Sequence, residues 1–179
     1  MSKNPFGPCG TATLLDALAT VSTEPMDAID FSECYAGDHG AEAVGRLIMR
    51  RGVRYVGLNY NRIKIRGAKA IADSIGSSAV MISRMILCDN TIGDEGITYL
   101  MNQIARKHES VRSLGVDLYD VGVKGAMAIK QAMEVQGAMM KLEYFGGVGD
   151  TNAKAILDEV EKANRGEGYA KLFILNPNN

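Results

Sequence analysis

The sequence predicts an α/β solenoid of about five repeats plus a C-terminal half-repeat, with parallel strands on the concave face and helices on the convex face. Three observations carry this expectation. An apolar triplet recurs at fixed offsets, a glycine follows each triplet at nearly constant spacing, and the apolar positions after each glycine match from unit to unit. Self-similarity at a period of 20–50 residues is the mark of repeat architectures, so it takes precedence over local propensity.

Taken in order, residues 1–10 hold two prolines and two glycines and are expected to form an extended arm. Thr11 or Thr13 should cap a helix within 11–25 whose apolar positions are Leu14, Leu15, Leu18 and Val21. Glu24-Pro25 should end it, because the residue before proline is pushed out of the α region. The repeat domain is expected over 26–179. Its strands read Met26, Ile29, Phe31; Val53, Val56, Leu58; Ile82, Met85, Leu87; Val111, Leu114, Val116; and Met139, Leu142, Tyr144. A sixth strand, Tyr169, Leu172 and Ile174, lacks a following helix, and residues 166–179 should cap the array.

The glycine falls at Gly40, Gly67, Gly96 and Gly125, with Asn152 in the fifth place, at spacings of 27, 29, 29 and 27 residues. Close helix–strand approach or a positive φ would each require it, and asparagine substitutes best in the second case. Helix cores follow at matching offsets, such as Ala68, Ile71, Ala72 and Ile75; Gly45 and Lys130 break the set. Odd units place Gly-Asp before the helix, at Asp38, Asp94 and Asp150, where the carboxylate is expected to cap the first turn of its own helix. Even units read Ile65-Arg66-Gly67-Ala68 and Val123-Lys124-Gly125-Ala126, so the units alternate.

Alternating units of 28 to 29 residues, with an L-x-x-L-x-L-x-x-N/C strand and a G-x-x-G-A helix, resemble the ribonuclease-inhibitor class of leucine-rich repeats across residues 26–163. Tyr119 and Gly147 depart from the pattern at the Asn/Cys position, so the resemblance is to a short, divergent member. It implies a protein-binding solenoid, with free soluble inhibitors or adaptors among its uses. Asn61 and Asn90 would then hydrogen-bond loop backbone between adjacent coils, with Cys34 in a weaker version of that role.

Residues between and just after the core positions of each strand should face outward, Cys88 among them. Among these, Tyr55, Ile86, Phe145, Phe173 and Leu175 are candidate partner anchors, since exposed aromatic and apolar side chains carry most interface energy. Phe173 and Leu175 fit packing in a C-terminal cap equally well. Eight cations crowd residues 46–69, among them Arg50, Arg51 and Arg54. A solvated edge, an acidic protein partner and RNA all fit this segment. RNA readers pair such patches with stacking aromatics, for which Tyr55 and Tyr60 are the nearby candidates. Asp27, Asp30, Glu33 and Asp38 lie one unit away, and such a dipolar end suits docking to a protein.

Catalysis, cofactor and metal find little support. The 179 residues carry three cysteines without C-x-x-C spacing and two histidines, His39 and His108, with no ligand or carboxylate at metal spacing. Cys9 has no base identifiable beside it. Gly146-Gly147-Val148-Gly149-Asp150 lacks the Gly-Lys-Ser/Thr ending of a phosphate loop. A net charge of −1 selects neither nucleic acid nor an anionic surface. Reduced cysteines and the lack of a secretory or transit signal point to the cytoplasm or mitochondrion rather than secretion. The functional expectation is a non-catalytic interaction or scaffold protein, an accessory subunit of a large mitochondrial, ciliary or ribonucleoprotein assembly. The alternatives are a free ribonuclease-inhibitor-like adaptor and, third, an RNA-binding accessory protein using the basic edge.

Overall fold

The computed structural model describes residues 3–107, 109–136, 140–145, 147–164 and 172–175; the side chains of residues 144, 145, 163, 164 and 172–175 lie outside the described part. Helices and strands alternate: α1 (Gly7–Val21), β1 (Met26–Asp30), α2 (Gly37–Arg51), β2 (Val53–Gly57), α3 (Ile65–Ser77), β3 (Arg84–Ile86), α4 (Gly93–Arg106), β4 (Ser113–Asp117), α5 (Val123–Gln136), β5 (Lys141–Phe145), α6 (Thr151–Asn164) and β6 (Leu172–Leu175). The described strands form one parallel sheet in sequence order, β1 to β6. Each helix packs on the next helix in the chain, so helices make one layer and strands the other. Core side chains sit between the layers. In α3 and α4 the apolar positions Ala68, Ile71, Ala72, Ile75, Ile97, Leu100, Met101 and Ile104 are all buried.

The N-terminus differs from its expectation. Residues 7–10 are helical, so the arm is no arm at all beyond Phe6, and neither Thr11 nor Thr13 caps the helix. Pro8 explains this, because in a first turn its fixed φ is already helical and its missing N–H has no partner to lose. The segment in fact copies the loop and helix of a repeat. Lys3 N donates to Ser32 O and Gly7 N to Cys34 O, as Glu33 N does to Asn59 O and Gly37 N to Asn61 O one unit on. Gly7 and Gly37 share a positive φ, of 67° and 56°. Asn4 thus stands where Cys34, Asn61 and Asn90 stand, and Gly10 stands where Gly40 stands. The helix also ends at Val21, ahead of Glu24-Pro25, with Ser22 extended.

Adjacent coils are tied by side chains that reach across. Asn61 Oδ1 accepts from Cys34 N (3.1 Å) and Ala36 N (3.0 Å), while its Nδ2 donates to Phe31 O (2.8 Å) and Asn59 O (3.0 Å). Asn90 does the same one unit later, accepting from Asn61 N and Ile63 N and donating to Leu58 O, Leu87 O and Cys88 O. Cys34 carries a weaker bond, Sγ to Ser32 O at 3.4 Å.

The aspartates bond otherwise than expected. Asp38 Oδ1 accepts from Lys64 N (2.7 Å) and Gly67 N (3.0 Å), and Asp94 Oδ1 accepts from Gly122 N and Gly125 N (both 2.8 Å). These N–H groups belong to the start of the following helix, so each odd unit caps the even one after it. Asp150 alone of the three caps its own helix, through Asn152 N and Ala153 N. Here is the reason for the alternation: even units lack a Gly-Asp of their own because their neighbour supplies it. The carboxylate sits near two helix N-termini at once, where negative charge is favoured. The recurring glycine serves this contact. It has no positive φ at 40, 67, 96 or 125, and a Cβ on Gly67 or Gly125 would lie 2.7 or 2.5 Å from the capping Oδ1.

Helix C-termini are closed in the same manner. Arg51 donates to Leu18 O and Glu24 O at the end of α1, and Lys107 donates to Ile75 O and Ser78 O at the end of α3. Gln136, buried, donates to Ile104 O and Lys107 O at the end of α4. Orphan carbonyls of one helix thus find partners on the next unit.

Candidate functional site

Two surfaces remain after the helices have covered one side of the sheet: the opposite sheet face, and the edge where strands run into helices.

On the sheet face, large and small residues alternate across neighbouring strands. Asp30 pairs in register with Gly57, and Ile86 with Gly115, which in turn pairs with Glu143. A Cβ on Gly57 would lie 2.8 Å from Asp30 Oδ1, and one on Gly115 would lie 3.0 Å from Ile86 Cγ2 and 3.3 Å from Cys88 Sγ. Each glycine therefore makes room for the side chain of its neighbour. Cys88, expected to point outward, is only 1% exposed for this reason. Burial, with the Asp117, Asp89 and Glu143 charges, pushes its thiol far up, so it makes a poor nucleophile.

Glu143 is the hub of this face. It is buried, yet its Oε2 pairs with Arg84 Nη2 at 2.7 Å and its Oε1 with Lys141 Nζ at 3.0 Å and Ser113 Oγ at 3.1 Å. Burial pulls its pKa up, but the hydrogen bonds from Lys141 and Ser113 and the Arg84 charge outweigh this and hold the carboxyl below its ordinary 4.5. A folded-state pKa below the unfolded one gives stability that is present above 4.5 and lost as pH falls through the folded value. We expect Glu143→Gln to cost about 1–2 kcal/mol at pH 7, since charge-assisted bonds become neutral ones. In urea titrations that difference should shrink as pH drops below 4.5; an equal cost at both ends of the range would contradict the ion-pair account.

Tyr55 and Ile86 are half-buried on this face, and Tyr55 stands in register with exposed Arg84. Phe145 and Leu175 are paired in register at the β5–β6 end, and Phe173 is paired with Glu143; all three side chains lie outside the described residues. The terminal segment 166–179, apart from β6, and His108 lie outside them too.

The basic segment is not a free patch. Arg54 pairs with Asp27 at 2.8 Å, Arg46 with Asp16 through two bonds, Arg66 with Glu42, and Lys69 with Glu95. Arg51 is the carbonyl cap of α1 described above, and Arg50 is exposed on the last turn of α2. Arg50, Arg51 and Arg54 lie at the helix-to-strand end, away from Tyr60, whereas Arg62 of the same segment lines the loop edge beside it.

The loop edge brings together residues that the sequence reading kept apart, Tyr60 as a stacking candidate, Glu33 in the acidic end and Arg62 among the cations of 46–69, with Lys3, Tyr35 and Asp89, which it did not single out as candidates. Glu33, Tyr35, Tyr60, Arg62, Asp89 and Lys3 line an open cavity of about 560 Å³. All six have φ between 55° and 61°, the left-handed region that non-glycine residues seldom enter. They sit just before and just after the ladder positions, a fixed offset that would have shown them in an alignment of the units. Tyr35 and Tyr60 are 49% and 56% exposed, and the Arg62 guanidinium stacks over the Tyr35 ring at 4.8 Å. The Tyr60 phenol is raised by its hydrogen bond to Asp89 and by the Asp89, Glu33 and Asp117 charges. Asp89 N in turn donates to the Asp117 carboxylate.

Among the described residues, no group of three or more His, Cys, Asp and Glu is placed to hold a metal ion, and no helix is long and apolar enough to cross a membrane. No protein-family model matches the sequence, and no curated protein matches it.

Proposed function

We propose that the chain is a non-catalytic interaction or scaffold protein, a short repeat solenoid of the leucine-rich type that serves as an accessory subunit of a larger intracellular assembly. One observation carries this reading: a six-stranded parallel sheet with helices on one side leaves its other face and its loop edge open, and both present tyrosines beside arginines. Tyrosine and arginine are the residue types that most often anchor interfaces. The leucine-rich assignment is supported by the Asn61 and Asn90 bonds between coils and by one strand and one helix per unit. The RNA reading loses support because Arg46, Arg54, Arg66 and Lys69 are each paired with an acid.

Native affinity capture of the tagged chain followed by sizing tests the proposal. A stable complex with defined partner chains, well above the 19.3 kDa of the chain, is the expected result. A lone monomer in every native extract would overturn the subunit reading. Charge reversal at Arg50 and Arg54 should leave any nucleic-acid retention flat against salt, whereas a phosphate-binding edge would give a steep salt slope.

A further inference from the structure

The loop-edge cavity is the place on this molecule where geometry and charge select one kind of visitor. Its two tyrosines come from successive units, so they stand one strand apart along the edge. Tyr35 already holds a guanidinium on its face, which shows that a planar cation fits there. Among the described residues, no cation stands over the Tyr60 ring. Its hydroxyl meets the Asp89 carboxylate, with Glu33 and Asp117 the other charges that act on it, all three negative. Lys3 offsets only Glu33, at 3.7 Å between largely exposed groups, where pairing contributes little. The Asp89 and Tyr60 side is therefore acidic and aromatic together.

We propose that this cavity is the docking point for a basic side chain, arginine or lysine, of a protein partner, which stacks on Tyr60 and is neutralised by Asp89. The proposal deepens the interaction reading above and rests on it. An anionic ligand is disfavoured because it would meet the Glu33 and Asp89 carboxylates, with the Asp117 charge also acting on Tyr60, while Arg62 is engaged on Tyr35. The left-handed loop backbone, repeated at the same offsets in the units of Glu33 and Tyr60, holds these side chains before a partner arrives, which limits the ordering cost of binding.

The test uses the full chain and the peptide acetyl-Gly-Arg-Gly-Arg-Gly-amide, followed by amide and tyrosine-ring NMR at low salt, with the matching glutamate peptide as control. Saturable shifts should appear at Tyr60, Arg62 and Asp89 with the arginine peptide alone. Tyr60→Asn and Asp89→Asn, both of which keep a residue that tolerates positive φ, should each weaken binding about fivefold. Arg62→Ala should leave the Tyr60 shifts in place. Shifts of equal size with the glutamate peptide, no saturable shift, or binding unchanged in Tyr60→Asn would each overturn the cavity assignment. Native capture separates this from the parent reading. A complex that survives in Tyr60→Asn and Asp89→Asn with its partners intact overturns the docking point and leaves the scaffold reading standing, whereas a lone wild-type monomer removes the scaffold reading itself.

Discussion

Replacing Asn61 with alanine should lower the stability of the fold by about 4 kcal/mol, which for a chain of this size is a drop in Tm of about 8–16 °C. The Asn61 side chain is fully buried and makes four hydrogen bonds, two accepted and two donated. Alanine would strand two N–H groups, at Cys34 and Ala36, and the Phe31 carbonyl, while the Asn59 carbonyl would keep only the bond it accepts from Glu33 N. Cys34, Ala36 and Phe31 are themselves buried. Each such group costs about 1–3 kcal/mol if nothing replaces its partner, and a water entering the vacated space recovers part of the sum. The loss is large against the roughly 5–15 kcal/mol by which domains are stable. Asn61→Asp keeps the acceptor oxygens but loses both donated bonds and buries a charge, so it should fall at least as far. Cys34→Ala, at the equivalent place, should cost far less, because the thiol bonds Ser32 O only through a long sulfur contact of 3.4 Å. Urea unfolding at constant m-value measures all three. A loss under about 1 kcal/mol for Asn61→Ala would mean that the units are not tied at this position.

The same contrast explains what could be read before the structure was known. The alternation of helix and strand was legible because apolar offsets differ between the two, and because Ile97, Leu100, Met101 and Ile104 repeat the spacing of Ala68, Ile71, Ala72 and Ile75. The N-terminal unit was not. A search keyed on the strand triplet has nothing to find at Lys3–Phe6, and the signs that remain, Asn4, Gly7 and Gly10, are single residues. The destination of the capping aspartates was hidden for another reason. Sequence places Asp38 before a helix, but only the side-by-side packing of α2 and α3 brings Lys64 N and Gly67 N within its reach. Cys88 looked exposed because strand alternation assigns a face and says nothing of the neighbours on it. Gly115 lets Ile86 and Cys88 close over it. The grouping of the loop-edge residues was not legible because they flank ladder positions in different units, and only the stacking of the units brings Tyr60, Glu33, Arg62 and Asp89 to one cavity.

Gly67→Ala is the sharper test of how the units are coupled, because propensity and packing predict opposite signs. Within a helix, alanine is favoured over glycine by about 1 kcal/mol. Gly67 has ordinary helical φ, so no backbone strain would oppose the change. Yet the added Cβ would stand 2.7 Å from Asp38 Oδ1, 2.8 Å from Ile63 Cγ2 and 2.9 Å from Ala41 Cβ, two of them on α2 and one of those the cap itself. Relief requires α3 to shift from α2 or Asp38 to leave its two N–H groups. Loss of a cap costs about 1–2 kcal/mol and overpacking about 1–3, so the net effect should be a destabilisation of about 2–3 kcal/mol. Asp38→Ala alone should cost about 1–2 kcal/mol. If both act through the same contact, the double variant will be more stable than the sum of the single losses implies, by at least about 1 kcal/mol. Strict additivity would show that glycine is there only for Ile63 and Ala41. A stabilised Gly67→Ala would mean that the two helices do not approach as closely as the cap demands, and that the two-unit period of Gly-Asp has some cause other than a carboxylate shared between neighbours.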